Sequence, residues 1–270
     1  MPLAVCATPI GNLQDVTLRV LEELRSADVV LCEDTRHTRV LLERHGIDQP
    51  RLLSYHEHNE AKRTAEVLPR LQAGEHVALV SDAGVPGISD PGARLVAAAL
   101  DAGVPVTVLP GASAVDTALV ASGFPAERYQ FLGFLPRGAK ALAALWDELS
   151  GWPHPAVAFE SPQRLPATLR SLASAQPERP VAVCRELTKR FEEVVRGTAA
   201  EVVEHFREPP KGEITLVLGG AAGGRRAGAS EAEVAAVAEL VAAGLPRRRA
   251  ADVVARLTGT ARNELYRRTL

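Results

Sequence analysis

The chain has 270 residues, 46% of them hydrophobic, and a formal net charge of −2 at pH 7. That length holds one large or two ordinary domains with a sizeable core. The near-neutral balance excludes a global field that would draw in nucleic acid, so such a partner must be met by a local cluster.

Leu3-Ala4-Val5-Cys6-Ala7 is a short apolar run with no charge before it and a Pro9–Gly11 turn after it. It reads as a first strand rather than a signal peptide. Apolar residues at helical spacing follow over 17–24. Val29–Cys32 is a second buried strand ending on Glu33-Asp34-Thr35-Arg36, and a helix carrying Val40, Leu41 and Leu42 stops near Gly46. Arg51–Tyr55 is a third strand, ending on His56-Glu57-His58-Asn59, and residues 61–72 form the next helix. His76–Val80 is the fourth strand. A fifth strand, Val104–Leu109, ends on Pro110-Gly111-Ala112-Ser113-Ala114. Strands alternating with helices predict a parallel sheet with right-handed crossovers. Each of the five ends on a polar or Gly/Pro cluster, and these clusters fall along one edge, outside the carboxyl ends of the strands, where ligands bind in open α/β sheets.

The stretch Ser81–Gly92 is the most informative of these. It separates the fourth strand from a helix over 93–102, whereas an ordinary connection of this kind takes about two to six residues. A longer loop costs chain entropy, which predicts that it lines a binding site.

The second half reads as another α/β unit with a mixed sheet: strands over 129–134, 156–160, 181–184, 191–197 and 212–218, with helices at 142–146, 164–172 and 199–206 between them. Residues 219–230 have the composition of a flexible linker. Three helices are expected after it, at 231–243, 247–257 and 260–269, and this tail holds the most basic segment, with Arg247, Arg248, Arg249, Arg262, Arg267 and Arg268. The expected division is therefore 1–115, 116–220, a linker at 221–230, and a basic helical tail at 231–270. No run approaches the roughly 18 apolar residues that span a bilayer, so no membrane partner is expected. Cys6, Cys32 and Cys184 are far apart in apolar stretches, which predicts reduced, buried thiols and a cytosolic protein.

Familiar chemical motifs are missing. There is no Gly-x-Gly-x-x-Gly, no His-Glu-x-x-His and no Gly-x-Ser-x-Gly; Gly133–Lys140 approaches a phosphate loop but has Ala139 where lysine belongs. His56 and His58 would share a face on a strand and could form a metal pair, but no third ligand stands at a suitable spacing, and no metal is expected. The cluster Glu33-Asp34-Thr35-Arg36 reads either as a helix cap or as catalytic groups at a strand end. The Arg247–Arg249 run reads either as a solvated face or as a phosphate contact.

Taken together, Ala7–Leu13, Glu33–Thr38, His58-Asn59-Glu60 and above all Ser81-Asp82-Ala83-Gly84-x-Pro86-x-Ile88-Ser89-Asp90-Pro91-Gly92 resemble the ribosomal RNA small subunit methyltransferase I family, within the tetrapyrrole methylase-like, or class III, methyltransferases. The likeness continues through Gly133–Pro136, Phe159–Leu165, Arg185–Lys189 and Lys211–Glu213, from about residue 3 to the C-terminus. It implies an α/β class III enzyme of two domains with a small helical C-terminal domain. It further implies S-adenosylmethionine bound in a cleft between the α/β domains, a homodimer, and 2′-O-methylation of a cytidine in the decoding region of 16S ribosomal RNA on the small ribosomal subunit.

By the same likeness, Pro9 matches the first cofactor turn, Asp82, Ala83 and Ile88 the loop after the fourth strand, and Ser113 and Ala114 the turn after the fifth. Phe159 and Glu160 lie near the equivalent strand end of the second domain. Val85 and Ala112 depart from the common pattern. A ribose hydroxyl must lose its proton to attack, and Glu33, Asp34, His58 and Asp82 are the catalytic candidates. Arg36, Arg185 and Lys189 are candidates for backbone phosphates, together with Arg247, Arg248, Arg249, Arg267 and Arg268 in the tail. The rival readings are a small-molecule methylase of the same fold, a non-catalytic RNA-binding assembly factor, and an unrelated nucleotide-binding α/β protein.

Overall fold

The computed structural model describes residues 2–48, 51–221, 231–258, 260 and 262–269. Two compact units emerge. One comprises Met1–Ala118 with Arg185–Glu193; the other comprises Leu119–Cys184 with Val194–Leu270. The segment 185–193, which the sequence reading groups with 116–220, thus clusters with the first unit. From residue 222 the expected linker lies outside the described residues.

The first unit is built on β1 (Leu3–Cys6), β2 (Val29–Cys32), β3 (Arg51–Ser54), β4 (Val77–Val80) and β5 (Val106–Leu109), in the order β3-β2-β4-β1-β5. All pairings are parallel, with Val5 beside Leu79 and Val108, and Leu31 beside Leu79 and Leu53. The three central strands are buried at every position. That is the expected reading of Leu-Ala-Val-Cys, Val-Val-Leu-Cys and Val-Ala-Leu-Val: a parallel sheet covered on both faces has no polar side. One face packs Val20, Leu21, Leu24, Leu41 and Leu42, from α1 (Leu18–Ser26) and α2 (Thr35–Arg44). The other packs Val67 and Leu71 of α3 (Glu60–Gln72) and Leu95 and Ala99 of α4 (Ala93–Asp101).

In the second unit the sheet order is β6 (Gln130–Phe134), β7 (Ala156–Glu160), β10 (Ile214–Leu218), β8 (Pro180–Arg185) and β9 (Glu193–Thr198). Parallel β6–β7 and antiparallel β7–β10 pairs make it mixed, as the sequence suggests. Its core includes Trp146, Leu149, Leu165, Leu169, Val183 and Leu216. The tail forms α9 (Glu231–Ala242), α10 (Arg247–Thr258) and α11 (Arg262–Arg268), packed on Val237, Ala250, Ala251, Val254 and Leu265. Among the described residues no helix is long and apolar enough to cross a membrane. The three cysteines are buried and free.

Candidate active site

The carboxyl ends of β1, β2 and β4 are adjacent because the strands are adjacent, so the residues that follow them meet. Ser81–Gly92 is not a loose excursion. Thr8 N–H donates to the Gly84 carbonyl at 2.8 Å and Gly84 N–H returns a bond to the Thr8 carbonyl at 3.1 Å. This is an antiparallel bridge at the rim of an all-parallel sheet. The buried Thr8 hydroxyl donates to the Ser81 carbonyl at 3.0 Å, and the Ser81 hydroxyl to the Gly84 carbonyl at 3.1 Å. Gly84 sits at φ 83°, a left-handed conformation that suits glycine. At the other end Gly92 has φ 142°, and a Cβ there would lie 3.1 Å from Leu79 Cδ2 and 3.2 Å from Gly87 N. Its N–H donates to Glu60 Oε1 at 3.2 Å, an oxygen that also accepts from the Tyr55 hydroxyl at 3.1 Å. The loop is therefore fastened at both ends.

The side chains it presents are acidic. Asp82 Oδ1 accepts from Asp34 N–H at 3.1 Å, tying the fourth strand end to the second. Burial, and then the Asp82 carboxylate, push the Glu33 carboxyl up, while the His56 ring opposes the shift. Asp90 is pushed up to about 6, first by burial and then by Glu33 and Asp82. Two carboxyls thus hold protons more readily than usual in one place, a condition suited to proton transfer near neutral pH. Asp82 also helps to line a small cavity of about 20 Å³ with Thr8, Pro9, Leu13, His37 and Thr38.

Other sequence candidates fall out differently. Asp34 is the N-cap of α2, accepting from Arg36 N–H at 2.8 Å and pairing with the Arg36 guanidinium at 2.6 Å. The Arg36 hydrogen bonds hold its carboxyl well below the usual carboxylate range, so it is a poor proton acceptor. His58 is exposed, because β3 ends at Ser54 and residues 57–59 turn away. His56, weighed from sequence only as half of a metal pair, is the ring that acts on Glu33, and its Nδ1 is buried without a partner among the described residues. No group of metal-ligating side chains forms among the described residues. Asp90 lay inside the recognised motif, but its burial is a tertiary property that local pattern does not reveal.

Of the proposed cofactor residues, Pro9, Asp82 and Ala83 gather at this rim, with Ser113 and Ala114 at the foot of α5 (Ala114–Ser122), where Ser113 Oγ accepts from Asp116 N–H at 3.3 Å. Ile88 is 52% exposed. Phe159, in the second unit, stacks edge-on against Phe131 and Phe134 at centroid distances of 5.1 and 5.5 Å. Glu160 is fully engaged within the second unit. It is 2% exposed, and its oxygens accept from Ser161 N–H at 2.7 Å, the Thr168 hydroxyl at 2.5 Å and the Arg164 guanidinium at 3.2 Å. Those bonds make it a structural anchor for the start of α7 (Leu165–Ala175).

The proposed phosphate holders Arg185 and Lys189 are also engaged, with Glu193 at 2.9 Å and Glu186 at 3.0 Å. Their segment carries two non-glycine residues at positive φ, Glu186 and Thr188, and Thr188 Oγ1 accepts from Asn12 N–H at 3.0 Å. The Asn12–Thr188 bond ties this segment to the first-strand turn. Arg247, Arg248 and Arg249 open α10, and Arg267 and Arg268 close α11.

Residues 2–203 match the family described as Tetrapyrrole (Corrin/Porphyrin) Methylases, and residues 228–270 match the RsmI C-terminal HTH domain. A protein of Mesorhizobium japonicum named "Ribosomal RNA small subunit methyltransferase I" is 44% identical over 99% of this chain and 91% of its own. A protein of the same name from Thermotoga maritima is 47% identical over 81% of this chain and 98% of its own. The chain belongs to the ribosomal RNA small subunit methyltransferase I family. Among solved structures, a uroporphyrin-III-C-methyltransferase from Thermus thermophilus shares the fold, at a TM-score of 0.57 and 23% identity, over 82% of this chain and 95% of that one.

As a member of this methyltransferase family the enzyme uses S-adenosylmethionine as methyl donor. The first unit fits that molecule. Small residues let the backbones approach closely at the ends of β1 and β5: a Cβ on Gly111 would lie 2.8 Å from Ala7 Cβ. The Glu33, Asp82 and Asp90 carboxyls beside them complement a sulfonium and an ammonium group.

Proposed function

We propose that this enzyme methylates the ribose 2′-hydroxyl of a cytidine in the decoding region of 16S ribosomal RNA, within the small ribosomal subunit, and acts as a cytoplasmic homodimer. The observation that carries the reading is the near full-length likeness to relatives named for ribosomal RNA methylation, which extends through the helical tail.

When bound, S-adenosylmethionine supplies an electrophilic methyl on a sulfonium. The oxygen–carbon bond forms as the carbon–sulfur bond breaks, so the residues' work is to align the hydroxyl and accept its proton. Asp90 and Glu33 are the groups with raised proton affinity at the rim, and we assign the proton to this pair, from which it passes to solvent. Asp82 holds the β2 and β4 ends in register through Asp34 N–H. The rest of the rate enhancement is positional, which agrees with a loop fastened at both ends.

Tritiated S-adenosylmethionine offered with unmodified small subunits, naked 16S RNA and uroporphyrinogen tests the proposal. The expected outcome is label on small subunits at one cytidine whose 3′ phosphodiester resists alkali, because methylation removes the 2′-hydroxyl nucleophile. Label on a base, or on uroporphyrinogen alone, overturns it. Light scattering of the purified protein checks the dimer.

A further inference from the structure

The helical tail contains a recess that the methyl-transfer site does not use. Arg248 of α10 and Arg262, Asn263 and Tyr266 of α11 line an open hollow of about 260 Å³. We propose that it binds one unpaired nucleotide of single-stranded RNA, with the base stacked on Tyr266 and the phosphate held by Arg248. This rests on the RNA reading above and names a subsite within it.

Charge in the tail is segregated. α10 and α11 carry seven arginines against Asp252 and Glu264, whereas α9 carries three carboxylates and no base. A polyanion is therefore drawn to the α10–α11 side and repelled by α9. Within the recess the two cations differ. Arg262 is anchored, Nη1 lying 3.5 Å from Asp252 Oδ1 and Nη2 donating to Asn263 Oδ1 at 3.4 Å. Arg248 has no ion-pair partner among the described residues and is exposed, so it is available to a phosphate. Tyr266 keeps 38% of its surface open, and its hydroxyl has no partner among the described residues. The Asn263 amide offers both donor and acceptor to a base edge.

An open aromatic face beside an unpaired guanidinium is the chemistry of a stacking platform for unpaired bases. A base within a duplex cannot present its face to such a ring, and A-form duplexes are gripped instead through backbone and shape.

The test uses the full-length protein, fluorescence anisotropy, and a ten-nucleotide single-stranded RNA compared with its duplex over a range of salt. Tyr266→Ala should weaken single-strand binding about tenfold or more, and Tyr266→Phe should stay within about twofold of the parent. Arg248→Ala should reduce the slope of log affinity against log salt by about 0.7, whereas Tyr266→Ala should leave that slope unchanged. Single-strand affinity of Tyr266→Ala within twofold of the parent overturns the proposal. So does an equal loss for duplex, which means that the face docks a helix. If circular dichroism shows that Tyr266→Ala has lost tail helix, Arg248→Ala decides, and an unchanged salt slope overturns the proposal. Methyl transfer by the parent is read separately. Labelled subunits with an unaffected Tyr266→Ala remove only this subsite, whereas unlabelled RNA with the Tyr266 effect intact removes the functional reading instead.

Discussion

Replacing Asp90 with asparagine should make the protein more stable and less active. Burial and the neighbouring Glu33 and Asp82 raise the Asp90 carboxyl from 3.8 to about 6. A carboxyl whose folded value lies above its unfolded value binds protons more tightly when folded. Its ionisation therefore destabilises the fold as pH rises through the window between about 4 and 6, and the cost is fully present above it. The whole difference corresponds to at most about 3 kcal/mol. Asp90 is partly open to water, and screening reduces this to roughly 1–2 kcal/mol. Asparagine keeps the shape but never ionises. Urea unfolding at pH 8 should thus show Asp90→Asn more stable by roughly 1–2 kcal/mol, with about half that gain at pH 5. Methyl transfer should fall about 100-fold or more, and the acid limb of the parent's kcat/KM profile near pH 6 should move to lower pH as Glu33 is left to titrate alone. Glu33 and Asp90 interact, so the limb belongs to the pair. An equal stability gain at both pH values, or a loss at pH 8, would refute the electrostatic account; full activity would refute the proton-acceptor role.

Asp82→Ala should remove a charge that raises both Glu33 and Asp90, moving the acid limb of the pH profile downward while methyl transfer drops; a limb that stays in place argues against the coupling. Gly92→Ala should lower stability by about 1–3 kcal/mol, since φ 142° is closed to alanine and its methyl meets Leu79 and Gly87, and calorimetry reads this as a fall in Tm. Glu160→Ala should cost about 1–3 kcal/mol by leaving the Ser161 N–H and the buried Thr168 hydroxyl without their acceptor, while Arg164 keeps the Leu135 and Pro136 carbonyls. Intact stability together with weakened S-adenosylmethionine binding would restore Glu160 as a ligand.

The strands were legible because apolar runs such as Val29–Cys32 and Val77–Val80 stop abruptly at polar or glycine-rich residues, and a doubly covered sheet demands that pattern. Ser81–Gly92 was legible as a site by its length and its place after a strand. The roles within the site were less so. Alternation put His56 and His58 on one face, but that rule lapses where β3 ends at Ser54, and only His56 turns inward. Asp34 and Glu33 are neighbours of the same charge, yet one caps a helix in water and the other is partly desolvated. Burial of that kind depends on what other strands bring alongside, as does the clustering of Arg185–Glu193 with the first unit.

The Thr8–Gly84 bridge bears on motion. Both amides belong to a pairing that continues β1, which is buried along its length. Their exchange with deuterium should therefore report the slow opening of the sheet, not the quick fraying of a surface loop. A rim that opens only with the sheet cannot close over an arriving ligand as a lid would. Association of the methyl donor with this half of the enzyme should accordingly follow a single phase, linear in concentration, with no later ordering step in the 81–92 segment.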